Sequence, residues 1–440
     1  MRSTGKPARV GKSGDAPINY SEALAWLYSL QRFGIKLGLE NIRRLIAELD
    51  LGLGSARASR AVSGAPPKTS EKPRVIHVAG TNGKGSVCAM IDSICRAQKY
   101  RTGLFTSPHL ITFRERIRVN GQMISEKAVA GGLTTIRNLT ADWDPQSTFF
   151  EITTGLALKY FADARLEVVI LETGLGGRLD ATNAVQSNVS VITSIALDHQ
   201  EWLGDSLEKI AAEKAGIIKP RVPVVSAPQK KEVEVVLRKR AMDCESPIEF
   251  ITEPYEQHPI ALCGAYQKQN AALAIAALRA AEIDIDDSAI ARGLATVDWP
   301  ARFQCWDERT IIDGAHNPAA AWTLAQAWME TFGSERATLI LAILSDKDLR
   351  GICEALAPIA DSVLLPKIRS DRAAPPEELA QVLSVITPSL PHSITPSIAE
   401  AIELARSRPH PILLTGSLHF AGEALAHLRG EPAAFEECAQ

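Results

Sequence analysis

The sequence predicts an α/β protein with two domains, the first built on a parallel β-sheet and the second smaller. A short run of mostly β-branched residues, Val75–Val78, leads into a glycine-rich loop and then into a helix. The same order of apolar strand and loop recurs at Val168–Leu171 and at Val189–Ile195. A second alternating run of strands and helices begins at Thr310. Strands that alternate with helices in this way are typical of parallel sheets.

Length and composition exclude several classes of protein. The chain has 440 residues, enough for two or three domains with large cores, and its 46% hydrophobic and 22% charged content is ordinary for a globular protein. A net charge of −3 gives no bulk positive field for nucleic acid, and no apolar run approaches the length of a membrane span. The seven cysteines form no C-x-x-C pair, which argues against zinc and disulfides. We therefore expect a cytoplasmic protein that works as a monomer.

The N-terminal region has two segments that we expect to be irregular. Residues 1–17 are basic and rich in Ser and Gly, which predicts a disordered tail rather than a secretory signal. Residues 52–73 are rich in Gly, Ala, Ser and Pro and predict a mobile insertion. We place the first domain at residues 18–299 and the second at residues 300–440, with the boundary near Pro300.

Apolar periodicity and turn residues predict the remaining elements in chain order. In the first domain these are helices at 21–30, 40–49, 126–138, 148–161, 206–214, 267–281 and 286–294, and strands at 102–106, 117–119 and 223–226. In the second domain they are strands at 310–312, 337–344, 362–365 and 411–415, and helices at 319–331, 349–360 and 376–383.

The loop after the first strand is typical of phosphate binding. It reads Gly80-Thr-Asn-Gly-Lys-Gly-Ser86, and a helix is predicted from about Ser86. Its glycines allow a phosphate to approach the backbone, and the helix directs its positive dipole end at the anion. Lys84 adds a mobile charge, and the Ser86 hydroxyl can coordinate Mg²⁺. The loop departs from G-x-x-x-x-G-K-[ST] by the extra Gly85, and the alternative is a strand–helix turn that binds nothing.

Six stretches carry a resemblance to a known family. They run in order over most of the chain: His77–Ser86, Thr106–Leu110, Leu171–Asn183, Leu197–Gly204, Glu213–Ile217 and Asp313–Pro318. With these stretches the chain resembles folylpolyglutamate synthase and dihydrofolate synthase, of the Mur ligase superfamily. The resemblance implies an N-terminal P-loop ATPase domain, a C-terminal Rossmann-like domain and an active site in the cleft between them. It also implies that ATP converts a pterin carboxylate, of dihydropteroate or of tetrahydrofolate (poly)glutamates, into an acyl phosphate that the amino group of L-glutamate attacks.

The resemblance assigns roles to side chains in the first domain. Residues 80–86, among them Thr81, Asn82 and Gly83, would bind ATP, with Lys84 on its terminal phosphates. The implied ligands for what we expect to be two Mg²⁺ ions are Ser86, Glu151, His199 and Lys214, the last as a carbamylated lysine. From the residues alone, Glu151 is a helix first-turn acid, His199 a structural histidine and Lys214 a surface charge.

Further roles fall on the second domain and on two loops. Asn270, Arg302 and Asp313 would contact nucleotide, and His316 would act near the transfer step. The alternative is that Asp313-Gly314 is a turn and that His316 and Asn317 cap a helix. Two smaller sets complete the assignment. Ser107, His109 and Arg116 would flank the pterin side, whereas Glu172, Arg178 and Asp180 would shape the second glycine loop, residues 172–180.

Three other interpretations compete with this one. Ser345–Asp348 faintly resembles the N-K-x-D motif of GTPases, but the asparagine is missing. A Mur-type ligase for a cell-wall precursor and a nucleotide-binding scaffold without catalysis are the others. Motifs alone leave open whether the chain makes dihydrofolate, extends polyglutamate tails or does both.

Overall fold

The computed structural model describes residues 18–34, 38–51 and 72–436. The predicted N-terminal tail, residues 1–17, lies outside the described residues. So does the predicted insertion at residues 52–73, apart from its last two residues.

The first domain is built on an eight-stranded sheet. Its strands are β1 (Arg74–Ala79), β2 (Thr102–Phe105), β3 (Ile117–Val119), β4 (Gln122–Met123), β5 (Val168–Glu172), β6 (Val189–Ile192), β7 (Val224–Ser226) and β8 (Ile248–Phe250). They lie in the order β4-β3-β2-β5-β1-β6-β7-β8. The pairs from β2 to β8 are parallel, and β3 and β4 add an antiparallel hairpin at one edge.

Helices cover both faces of this sheet. They are α1 (Tyr20–Ser29), α2 (Glu40–Glu48), α3 (Lys84–Ala97), α4 (Glu126–Thr140), α5 (Phe149–Ala164), α6 (Gln200–Leu203), α7 (Leu207–Ala215), α8 (Lys231–Asp243), α9 (Tyr266–Ala280) and α10 (Asp287–Thr296). Alternate residues of β1 point to opposite faces, so Ile76 belongs to the buried cluster that includes α3, α9 and α10, while Val75 belongs to the cluster that includes α1, α2, α4 and α5. Burial on both faces explains why the central strands read as continuous apolar runs.

The second domain has a smaller sheet of six strands. They are β9 (Gln304–Cys305), β10 (Thr310–Ile312), β11 (Ala337–Leu341), β12 (Ala360–Pro366), β13 (His392–Thr395) and β14 (Ile412–Thr415), in the order β13-β12-β11-β14-β10-β9. All neighbours are parallel except β9, which is an antiparallel edge strand. Its helices are α11 (Pro318–Phe332), α12 (Leu349–Leu356), α13 (Pro376–Ile386), α14 (Ile398–Arg406) and α15 (Leu418–Leu428).

The predicted fold class is confirmed, because both units are α/β with mainly parallel sheets. The boundary near Pro300 stays a prediction. Within the described residues, no helix is both long enough and apolar enough to cross a membrane.

Three predicted elements differ from the structure near the carboxyl ends of the strands. α3 begins at Lys84 rather than near Ser86, and β11 ends at Leu341 rather than Leu344. β6 ends at Ile192 rather than Ile195, because the chain there turns aside to hold the glycine loop at residues 80–86: Ser194 O accepts the N–H groups of Thr81 and Asn82.

Candidate active site between the two domains

The loop from Gly80 to Gly83 has backbone geometry that needs glycine. Gly80 has φ of +151°, and a Cβ atom there would lie 1.8 Å from Thr193 Oγ1. Gly83 caps α3 in the left-handed region with φ of +89°. No side chain of the described residues caps α3, and its first N–H groups are therefore available to an anion.

Two lysine side chains converge on this loop. Lys84 Nζ donates to Gly80 O and Thr81 O, each at 3.2 Å, and Lys214 Nζ, from the end of α7, donates to Gly80 O at 2.7 Å. Lys214 is buried, and both burial and the charge of Lys84 lower its pKa from 10.5 to about 7. Lys214 is therefore a buried amine, not the surface charge that its sequence context alone favours.

Gln267 links Ser86 to Asn270 beside the same loop. Ser86 is buried in the first turn of α3, and its Oγ accepts a long 3.4 Å hydrogen bond from Gln267. Asn270, one turn further along α9, donates to Gln267 Oε1 at 2.9 Å. A Cβ atom on Gly83 would lie 2.8 Å from Asn270 Oδ1. The structure thus brings the predicted nucleotide residue Asn270 to the start of α3.

Glu151 caps its own helix. Its Oε2 accepts from Thr148 N at 2.8 Å and from Thr148 Oγ1 at 3.1 Å, and Thr148 Oγ1 in turn accepts from Glu151 N. This reciprocal capping box is the structural role that the sequence alone favours. A carboxylate has about four lone-pair sites, so the cap does not use up its capacity as a ligand.

A buried carboxylate, Asp198, joins the two domains. Lys347 Nζ donates to its Oδ1 at 2.8 Å, Asn317 Nδ2 donates to its Oδ2 at 3.1 Å, and His316 Nε2 lies 3.6 Å from Oδ2. Burial alone raises the pKa of Asp198. The hydrogen bond from His316, the charge of Lys347 and the charges that His316 and His199 carry when protonated outweigh burial and hold that pKa far below 3.8.

The same network reaches the phosphate loop. Asn317 Nδ2 also donates to Asn82 Oδ1 at 3.0 Å, and Asn82 Nδ2 donates back to Asn317 Oδ1 at 3.2 Å. Asn317 caps α11 as well, by accepting from Ala320 N. The end of the Asp313–Pro318 stretch, at Asn317, therefore faces the Gly80–Ser86 loop across the domain interface.

His199 lies at the edge of this network. It has φ of +50° just before α6, and its Nε2 is 3.9 Å from Asp198 Oδ1. Partial burial lowers its pKa to about 4 against the opposing charge of Asp198, so the imidazole is neutral at pH 7 and one of its two ring nitrogens can bind a cation.

Asp313 and Arg302 lie at the crossing between the domains. Asp313 is buried and accepts from Phe303 N at 2.7 Å and Ala315 N at 2.8 Å, and burial raises its pKa while the charge of Arg302 opposes this. Arg302 Nη1 donates to Ala301 O at 2.8 Å, and His316 Nδ1 forms a hydrogen bond with Gly314 O. Of the alternative roles, the helix cap by Asn317 is present, whereas no regular turn is formed at Asp313-Gly314.

The two remaining groups of predicted residues lie in loops beside the site. Glu172 accepts from Ser107 N at 3.0 Å, and Arg116 Nε donates to His109 Nδ1 at 2.8 Å. Asp180 accepts the N–H groups of Gly174 and Leu175, and Arg178 pairs with Glu213 at 2.9 Å. Asp180 and Arg178 therefore hold the second glycine loop, as predicted, whereas Glu172 holds the loop at Ser107 instead.

Lys347 is the central residue that the sequence did not reveal. In the sequence Lys347 appears only within the incomplete N-K-x-D pattern, whereas in the structure it forms a buried ion pair with Asp198. Its position after β11, at the carboxyl edge of a parallel sheet, is the sequence feature that could have identified it as a site residue.

Comparisons with known proteins identify the family. Residues 78–225 match the Mur ligase middle domain, and residues 301–418 match the Mur ligase glutamate ligase domain. The dihydrofolate synthase/folylpolyglutamate synthase of Bacillus subtilis is 34% identical to this chain, over 93% of the chain and 99% of that protein. The chain belongs to the dihydrofolate synthase/folylpolyglutamate synthase family. It is an ATP-dependent ligase, and the resemblance drawn from the six motifs is confirmed.

Two solved structures of this family share the fold over nearly their whole length. Escherichia coli FolC in complex with DHPP and ADP has a TM-score of 0.80 and 32% identity, over 93% of this chain and 98% of that one. The folylpolyglutamate synthase/dihydrofolate synthase of Yersinia pestis, complexed with AMPPNP and Mn ion, has a TM-score of 0.82 and 31% identity, over 95% of this chain and 100% of that one.

Proposed function

We propose that this chain uses ATP to ligate L-glutamate to dihydropteroate, to reduced folate (poly)glutamates or to both, through an acyl phosphate. The observation that carries the proposal is the convergence of Lys84 and Lys214 on the Gly80 loop, opposite the Asp313–Pro318 loop of the second domain. This arrangement places the charge of Lys84 and the backbone N–H groups at the start of α3 where one domain faces the other, as transfer of a γ-phosphoryl group requires.

The residues of the first domain would bind and orient the nucleotide. Thr81, Asn82 and the N–H groups at the start of α3 would surround the phosphates, and Lys84 would turn from the Gly80 and Thr81 carbonyl groups to the terminal phosphate. The substrate carboxylate would then attack the γ-phosphorus, with ADP leaving. Because Asn270 lies at the same helix start, it would contact the nucleotide.

The residues near the loop fit a divalent cation held together with substrate phosphates. Among the described residues, His, Cys, Asp and Glu side chains form no group of three that could hold a metal alone. Ser86 and Glu151 offer the hard oxygen donors that Mg²⁺ prefers beside phosphate oxygens, and His199 offers a neutral imidazole. A bound Mg²⁺ would neutralise developing negative charge on the phosphates.

Lys214 would become a further ligand by carbamylation. Its neutral amine would add to CO₂ with release of one proton, which leaves a carbamate anion beside Lys84 in place of an uncharged amine. The chemistry needs an unprotonated amine, and a pKa of about 7 makes that form abundant at neutral pH. When the carbamate is present, we expect two Mg²⁺ ions to bind.

The second domain would receive glutamate. His316, Asp313 and Arg302 lie on or beside the loop that faces the phosphates, and we assign His316 to the transfer step and the other two to the nucleotide. The α-amino group of glutamate would attack the acyl phosphate, and phosphate would leave from the tetrahedral intermediate.

Steady-state assays test this proposal. Purified protein is incubated with ATP, Mg²⁺ and L-glutamate, with either dihydropteroate or tetrahydrofolate monoglutamate, and ADP release and product mass are followed. We expect ADP release that depends on an acid substrate. The absence of ADP release with both acids would refute the proposal and revive the scaffold alternative, and GTP in place of ATP tests the GTPase alternative.

Two expectations accompany the proposed function. We expect a monomer, which light scattering on the eluted protein can check. We also propose a cytoplasmic location, which the free thiols of the six cysteines in the described residues support.

A further inference from the structure

The loop that follows β2 leaves the first domain and packs on the second. Ile111 is 8% exposed and belongs to a buried cluster whose other members all lie in the second domain, among them Ile312 and Phe420. Gly422 of α15 is in direct contact with this loop, because a Cβ atom there would lie 2.0 Å from Leu110 O. The position therefore requires glycine, and the loop is seated on α15.

The chain returns to this loop after α15. We call residues 431–436 the C-terminal strap. It contains a 3₁₀ turn at Pro432–Ala434, and Arg369 Nη1 donates to Pro432 O at 3.1 Å. The ring of Phe435 lies edge-on to that of His419, with centroids 5.0 Å apart and planes at 90°. These contacts fix the strap to the second domain.

The last described residue, Glu436, binds the loop through both its backbone and its side chain. Its N–H donates to Ile111 O at 2.7 Å. Its carboxylate accepts from Phe113 N at 2.6 Å, from Thr112 Oγ1 at 3.1 Å and from Tyr20 OH at 3.1 and 3.2 Å. Hydrogen bonds that involve an ionised group are the stronger kind, so this side chain is the main anchor between strap and loop.

The backbone of Glu436 also defines the state of His109. Arg116 Nε is a donor, so His109 Nδ1 must accept from it at 2.8 Å, and Nε2 must carry the hydrogen that is donated to Glu436 O at 3.2 Å. Burial and the charge of Arg116 lower the pKa of His109 well below 6.5, in agreement with a neutral ring. The Arg116 guanidinium in turn lies 5.4 Å from the ring centre of Phe149, in the first turn of α5.

These contacts form a continuous path from the second domain to the start of α5. The path runs from Glu436 to His109, Arg116 and Phe149, and α5 also carries Glu151 two residues further on. The loop has an internal support as well, because Glu115 accepts the N–H groups of Leu110, Ile111 and Thr112. The strap therefore adds a constraint that exists only when the two domains are together.

We propose that Glu436 is a positioning residue: the C-terminal strap holds the loop at residues 107–116 in place on the side of the site that receives the pterin acid, so that the second domain contributes to acid-substrate binding without touching the acid. The effect on substrate binding rests on the proposed ligase function. The ordering of the loop does not.

The test compares Glu436→Ala and Glu436→Gln with Glu431→Ala, which removes an exposed acid from the same strap. Amide hydrogen exchange over residues 109–116 should be at least about tenfold faster in Glu436→Ala, because the Phe113 N–H loses its acceptor. Glu431→Ala should stay within about twofold of the wild type, and Glu436→Gln, which keeps one acceptor oxygen, should fall between them.

Steady-state kinetics give the second measurement. We expect Glu436→Ala to raise KM for the acid substrate about tenfold and to leave KM for ATP within about twofold, where tenfold corresponds to about 1.4 kcal/mol. Unchanged amide exchange at residues 109–116 would overturn the proposal that the strap orders this loop. Faster exchange with an unchanged KM for the acid would overturn its part in binding. If the wild type shows no ligase activity, the proposed function fails, and the exchange measurement still decides whether the strap orders the loop.

Discussion

Replacing Lys347 with Met should destabilise the joined arrangement of the two domains beside the Gly80–Ser86 loop. The Nζ atom lies 2.8 Å from Asp198 Oδ1, and both side chains are only 7% exposed. At an effective dielectric constant of about 20 the attraction at that distance is about 6 kcal/mol before desolvation is subtracted. Removal of one partner from a buried pair costs about 3–5 kcal/mol, since the other charge is left unpaired.

We expect the lower end of that range for Lys347→Met. Asn317 still donates to Asp198 at 3.1 Å, and His316 lies at 3.6 Å, so the carboxylate keeps part of its compensation. A loss of about 3 kcal/mol in the joined arrangement corresponds to a fall of roughly 100-fold in kcat/KM if that arrangement is the active one. Initial rates of ADP release measure this fall, and denaturant unfolding of each variant separates it from loss of the fold.

Two further variants make the reasoning refutable. The double variant Asp198→Asn/Lys347→Met leaves no unpaired buried charge, so its loss should be smaller than the sum of the two single losses. Arg350→Met is the matched control, because the Arg350–Glu354 pair is 66% and 47% exposed and such pairs contribute less than about 1 kcal/mol. A Lys347→Met enzyme within about twofold of the wild type would contradict the account.

Three other predictions use separate parts of the site and core. Lys84→Ala should abolish turnover and leave the unfolding midpoint nearly unchanged; near-wild-type turnover would count against the phosphate role. Lys214→Ala should be rescued in part by a short-chain carboxylate, measured as activity against carboxylate concentration, and absence of rescue would weaken the carbamate idea alone. Burial lowers the pKa of His77 well below 6.5, so the unfolded state gains a proton first as pH falls, and His77→Gln should reduce the slope of unfolding free energy below pH 6.5 by about 1.4 kcal/mol per pH unit. Equal slopes in urea titrations of the two proteins would oppose this.

Local sequence predicted the central strands because their signal is local. Val75–Val78 and Val168–Leu171 are buried on both faces, which gives each an apolar run in the sequence, broken only by the buried His77. β8 gave no such signal, since it is a three-residue edge strand with an exposed middle residue. The start of α3 was predicted two residues late, because periodicity is first visible at Val87 whereas the backbone becomes helical at Lys84, directly after a left-handed glycine.

The site was predictable in its parts but not in its connections. Glycine spacing and one lysine were enough to predict the phosphate loop, because neighbouring residues make it. Lys347 and Asp198 are 149 residues apart, and their pairing depends on how two separately folded sheets face each other. No spacing along the chain encodes that distance. The same holds for Lys214, whose burial against Gly80 turns an unremarkable helix lysine into an amine with a pKa of about 7.

The crossing between the domains explains why Asp313 matters even without nucleotide. Ala301 and Phe303 are both buried and have φ of +56° and +47°, a left-handed geometry that costs each of them roughly 1–3 kcal/mol. The Asp313 carboxylate accepts the N–H of Phe303, and Gly314 N donates to Ala301 O, so the crossing is held as a preset bend. A contact between Asp313 and a nucleotide would therefore act on the bend that sets how the two domains meet. Since Asn317 lies four residues further on, a movement of Asp313 would also reach the hydrogen bonds to Asn82.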